Sequence, residues 1–135
     1  MYQKTEKIYE IQQSGDAEGK MLAIVWDPIE PNRTATLLVE AKSTDASDAT
    51  VFRHQHGTFI VFFDGTTVTE ISGGGMDNGS TNGSPEWNLN LGPGTGAPDF
   101  GTEAQFLLQA GYNSGGPYTV NWQVKVTIEE FITDA

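Results

Sequence analysis

The chain has no cysteine in 135 residues, which excludes a disulfide framework, a thiolate zinc site and a thiol nucleophile. Such a composition suits folding in a reducing compartment. Cations are also scarce: seven Lys and Arg stand against eighteen Asp and Glu, for a net charge of −11. They are scattered singly at Lys4, Lys7, Lys20, Arg33, Lys42, Arg53 and Lys125. Nucleic-acid affinity rests on clustered cations that neutralise phosphates, and anionic membranes attract the same clusters, so neither partner is expected. The acidity reads as a solvated, self-repelling surface. No apolar run approaches the roughly 20 residues that a bilayer-spanning helix needs. The opening MYQKTEKIYEIQQ lacks the apolar stretch of a signal peptide, and the expectation is a soluble chain without a visible address. Helical spacing is nearly absent too, because Gly or Pro interrupts most candidate windows.

What is present is strand-like. Tyr118, Val120, Trp122, Val124, Val126 and Ile128 alternate with polar residues, the period of a strand with one face on a core and one in water. Ala35, Leu37, Val39 and Ala41 alternate with Thr34, Thr36, Leu38, Glu40 and Lys42. The runs 21–26 and 58–63 are continuously apolar, as strands buried on both faces are. Asp64-Gly65 before Thr66-Thr67-Val68-Thr69 reads as a hairpin turn. Strands are expected at 7–12, 21–26, 34–42, 51–54, 58–63, 66–71, 87–91, 104–109 and 118–129. Residues 1–135 are expected to form one all-β domain, a two-sheet antiparallel sandwich of jelly-roll type with eight or nine strands. Leu37, Val39, Ile60, Phe62, Val120, Trp122, Val124 and Val126 are its expected core.

Residues 72–101, SGGGMDNGSTNGSPEWNLNLGPGTGAPDFG, hold nine glycines and three prolines. Connections beyond about 15 residues are uncommon in compact domains unless they bind something. Ordering such a stretch costs roughly 1 to 2 kcal/mol per residue, most for glycine, and Ile71, Trp87, Leu89, Leu91 and Phe100 offer little apolar burial in return. The reading is an assembly loop that orders against a neighbour and is dispensable for folding across 73–84. Trp87 and Phe100 are its expected anchors. Asp77, Asn78, Asn88, Asn90, Tyr112 and Asn113 are the polar partner-binding candidates beside them. Trp87 also admits a plainer role, stapling the loop to the core beside Leu89 and Leu91.

Candidate chemistry is sparse. His54 and His56 fall on one face of a strand, a spacing suited to a metal. A cupin, however, places a glutamate four or five residues after the second His, where this chain has Ile60 and Val61. They are therefore expected to be ordinary histidines at a strand end before a turn at Gly57, with no essential metal. Counted from Asp77, the sixth and twelfth positions of a calcium loop fall on Asn82 and Asn88 rather than Gly and Glu, leaving only a looser calcium cage from Asp77, Asn78, Asp99 or Glu103. There is no Gly-x-Ser-x-Gly elbow, and Gly73-Gly74-Gly75 lacks the Lys of a phosphate loop. The chain is expected not to be an enzyme.

Two resemblances bear on function. Residues 104–131, AQFLLQAGYNSGGPYTVNWQVKVTIEEF, are similar to the closing hairpin of small β-sandwich virion proteins of tailed phages, through the pattern Val120-Asn121-Trp122-Gln123-Val124-Lys125-Val126. The hairpin FIVFFDGTTVTEIS is of the same kind, so the likeness covers about half the chain. It implies a head decoration, fibre or tail component located in the virion and assembled in the host bacterial cytoplasm. Its partners would be other virion proteins or copies of itself in a homo-oligomer. A second likeness is to small bacterial calcium-dependent galactose lectins, which close with Tyr, Asn-Ser-Gly and an alternating strand. It implies glycan binding, but Gln109, Ala110 and Gly111 stand where those lectins carry an aspartate.

Overall fold

The computed structural model describes residues 2–15, 20–77, 79–95, 101–112 and 118–132. Every regular element among them is a strand: β1 (Tyr2–Gly15), β2 (Lys20–Trp26), β3 (Arg33–Asp45), β4 (Asp48–Phe63), β5 (Val68–Met76), β6 (Ser80–Asn82), β7 (Trp87–Pro93), β8 (Phe106–Tyr112) and β9 (Tyr118–Ile132). They form two antiparallel sheets. The larger has the order β1-β9-β3-β4-β5, with β6 also paired to β4, and the smaller is β2-β8-β7.

β9 behaves as its alternation dictates: Val120, Trp122, Val124, Val126 and Ile128 are buried. It lies between β1 and β3, paired to both along nearly its whole length. β3 follows the same logic, with Ala35, Leu37, Val39 and Ala41 inside. Trp87, Leu89, Leu91, Leu108, Ala110 and Phe106 of the small sheet join these residues in one apolar cluster. Phe59 of β4 meets Phe106 of β8 edge-on, with ring centroids 5.8 Å apart.

Three expectations are corrected. In the run 58–63 the buried residues are Phe59, Val61 and Phe63, not Ile60 and Phe62, which are half-buried on the opposite face. A continuous apolar run carries no phase of its own. Pairing supplies it, because Ala35 and Leu37 face Val61 and Phe59 across the β3–β4 ladder. Second, Gly57 is no turn: β4 runs through it for 16 residues. Its role is close approach, since a Cβ there would lie 2.7 Å from the Gly75 carbonyl oxygen. Third, 72–101 is not one long loop. β5 extends to Met76, β6 pairs with Phe52–His54, and β7 is an edge of the small sheet.

Candidate interaction surface

The residues singled out in 72–113 divide sharply. Trp87 and Tyr112 are not partner anchors, because they are 0% and 4% exposed and sit in the core. Trp87 Nε1 donates to Ser43 Oγ of β3 at 2.8 Å, and its carbonyl accepts from Arg53 Nε at 2.8 Å. Gln55, inward-facing and buried, completes this seam: its Oε1 accepts from Leu89 N at 2.9 Å and its Nε2 donates to Leu89 O at 3.3 Å. Side chains of β4 thus stand in for a neighbouring strand along β7, satisfying backbone groups that burial would otherwise leave costly. Asn88 and Asn90 are exposed on the outer face of the small sheet, where Asn88 lies over Gly111. Asn78, Phe100 and Asn113 lie outside the described residues.

Asp77 is committed internally. Its Oδ2 pairs with His56 Nδ1 at 2.8 Å, and its Oδ1 accepts from His56 N at 3.1 Å. Its own N–H reaches His56 O at 3.0 Å, and Gln55 Nε2 donates to its carbonyl at 3.0 Å. Among the described residues no group of three or more His, Cys, Asp and Glu is arranged to hold a metal. Asp99 lies outside them.

The broadest feature is the outer face of the large sheet, where pairing lines side chains up in rows across four strands. Tyr2, Phe131, Thr34 and Phe62 form one row, and Lys4, Glu129, Thr36 and Ile60 the next. Glu6, Thr127, Leu38 and Thr58 follow, then Ile8, Lys125, Glu40 and His56, then Glu10, Gln123, Lys42 and His54. Four large apolar side chains on this face are open to solvent: Tyr2 at 53%, Ile8 at 67%, Leu38 at 43% and Phe131 at 46%. Tyr2 and Phe131 pack together, centroids 5.1 Å apart. With half-buried Ile60 and Phe62 they make an apolar end to the face.

The other end is polar. An open depression of about 540 Å³ lies over the last two rows, floored by Ala41 and Val124. Its rim mixes Lys42 and Lys125 with Glu10 and Glu40, and both histidines border it. Lys125 Nζ lies 3.7 Å from Glu6 Oε2. The face thus sets exposed apolar side chains at one end beside a mixed-charge hollow at the other.

No protein-family model matches the sequence, and no curated protein matches it. Among solved structures the chain is similar to the tailspike protein of Acinetobacter baumannii phage AM24, at 12% identity and a TM-score of 0.44, covering 93% of this chain and 26% of that one. The chain spans about a quarter of that protein's length.

Sequence reasoning looked for the surface in the glycine-rich stretch and missed the sheet face. The signal was there in the phase. Leu38 falls among the polar alternates of β3, and Ile8 is out of step with Tyr9 and Ile11, which pack on the core. An apolar residue among the polar alternates of a strand is the sequence signal for such an exposed position.

Proposed function

We propose that this chain is a non-enzymatic structural protein, a β-sandwich component of a tailed-phage virion of decoration, fibre or tail type, and that it works by binding neighbouring subunits. The observation that carries the assembly part is the exposed pair Tyr2 and Phe131 beside half-buried Ile60 and Phe62, with Leu38 and Ile8 also exposed farther along the same sheet face. Single exposed apolar residues are ordinary, but several on one sheet face, two of them packed together, support a surface that a neighbour covers. The virion part rests on the strand pattern of residues 118–129 and the hairpin of 59–72. A glycan-binding role finds no aromatic platform at Trp87 or Tyr112, which are internal.

Sedimentation velocity across a wide concentration range, together with a glycan array run with and without calcium, tests the reading. Concentration-dependent assembly with a silent array supports it. Specific glycan binding by a monomer would transfer the protein to the lectins.

A further inference from the structure

We infer that β1 is the assembly edge, and that a second copy of this chain adds to it strand against strand, antiparallel, with Thr5 on the two-fold axis. This rests on the assembly reading above and names its partner and register.

An edge strand presents unpaired N–H and C=O groups that template another strand, and proteins that avoid this blunt their edges with bulges, proline or short length. The other edges here are blunted or occupied. β5 carries two register shifts against β4, and β2 carries two against β8. β7 ends at Pro93, and its backbone is engaged by Arg53 and Gln55. β1 runs for 14 residues without proline and pairs with β9 without a single shift. Its backbone has no other strand partner among the described residues. Two inward side chains close the gap to the small sheet instead: Lys7 Nζ donates to Val25 O at 3.0 Å, and Tyr9 Oη to Ile24 O at 3.4 Å. The backbone edge itself stays open.

Charge selects the register. Side chains must meet on the same face, so only registers with a residue on the axis are allowed. An axis at Lys4, Glu6 or Lys7 sets a like charge against itself, and one at Ile8 sets Glu6 against Glu10 twice. An axis at Thr5 sets Lys4 against the partner's Glu6 and Glu6 against the partner's Lys4. It also sets Tyr2 against the partner's Ile8, extending the Tyr2–Phe131 pair with the most exposed apolar residue of the strand. On the inner face Gln3 meets the partner's Lys7, where a groove of about 220 Å³ lined by Gln3, Thr5 and Lys7 opens between the layers. Like charges directly opposed weaken a sheet and opposite ones strengthen it. With the axis at Thr5 the two copies pair over residues 2–8, where no like charges stand opposed and Lys4 meets Glu6 twice.

The test is a charge swap read by solution mass, with melting temperature as a folding control. Wild-type protein is expected to dimerise. Lys4→Glu and Glu6→Lys should each weaken the dimer by roughly tenfold or more, since two opposed pairs change sign in each, and the double variant should recover much of the loss. Independently, Thr5→Cys places one thiol per chain at the axis, where facing Cα atoms lie about 4.5 to 5.5 Å apart, within disulfide reach. Mild oxidation should link it into a covalent dimer while Gln12→Cys stays unlinked. If the wild type assembles but neither swap changes its mass and Thr5→Cys does not cross-link, the edge pairing is wrong and the assembly reading survives. If the wild type remains monomeric at every concentration, both fall.

Discussion

Trp87 Nε1 on β7 donates to Ser43 Oγ on β3 at 2.8 Å, a hydrogen bond that joins the two sheets from inside the core. A second core indole, Trp122, has no acceptor for its Nε1 among the described residues. The two tryptophans therefore have different jobs, and the same substitution separates them. Trp87→Phe removes this bond, leaving Ser43 Oγ its contact to the Arg53 carbonyl at 3.3 Å, and should cost about 0.5 to 1.5 kcal/mol beyond the lost packing. Trp122→Phe relieves an unmade bond and should cost distinctly less. Urea unfolding of both variants measures the difference, and equal losses would contradict the assignment.

Gln55 offers a second check on the seam. Its amide meets both backbone groups of Leu89 and the carbonyl of Asp77. Gln55→Leu keeps the size but leaves those groups buried and unpaired, so a loss of about 2 to 4 kcal/mol is expected. Hydrogen exchange should rise at Leu89 before it rises elsewhere in β7.

Gly57 and the stretch 73–84 correct an expectation about what is dispensable. Residues 73–76 and 80–82 pair with β4, so deleting 73–84 should lower the melting temperature substantially rather than leave it unchanged. Gly57→Val should do the same, because the added side chain meets the Gly75 carbonyl and Met76. A melt within a degree or so of wild type for either variant would contradict the β4–β5 pairing.

Acid stability has two identifiable contributors. The N–H groups of Thr67 and Thr66 donate to Asp64 Oδ1 at 2.8 Å each and hold its carboxyl below the ordinary aspartate value. At Asp48, the Thr50 hydroxyl and then its N–H act in the same direction. A carboxyl whose folded value is depressed stabilises the fold above the unfolded value, about pH 4, and loses that contribution as pH falls through the folded value. Asp64→Ala should therefore melt lower than wild type at pH 7, with the gap closing below about pH 4. A gap unchanged at low pH would assign the loss to the turn geometry instead.

Much of the fold was legible. Strong alternation placed β3 and β9 with the correct face inward, because a half-buried strand writes its burial into its sequence. The continuous runs did not: Phe59 through Phe63 could face either way until the β3–β4 register set the phase. The glycine-rich stretch misled for a related reason. Gly75 pairs in β5 against Thr58 with φ at 70°, a conformation that favours glycine inside a strand as it would in a loop. Trp87 attracted attention as an anchor, and its alternation with Leu89 and Leu91 was the clue that it points inward. The outer face was hardest to see, since its residues lie far apart in sequence and only strand pairing brings Tyr2 beside Phe131.

The claim that this face is covered by a neighbouring subunit is tested most directly by solution mass. Sedimentation equilibrium is to be run on wild type and on Ile8→Asp, which alters the exposed face and the β1 edge together and leaves the core-packed Tyr9 and Ile11 untouched. The wild type should exceed the 14.6 kDa of one chain and the variant should return to it, with unchanged melting temperature in dilute solution. A wild type that stays at one chain's mass across the whole concentration range, indistinguishable from Ile8→Asp, would contradict the account.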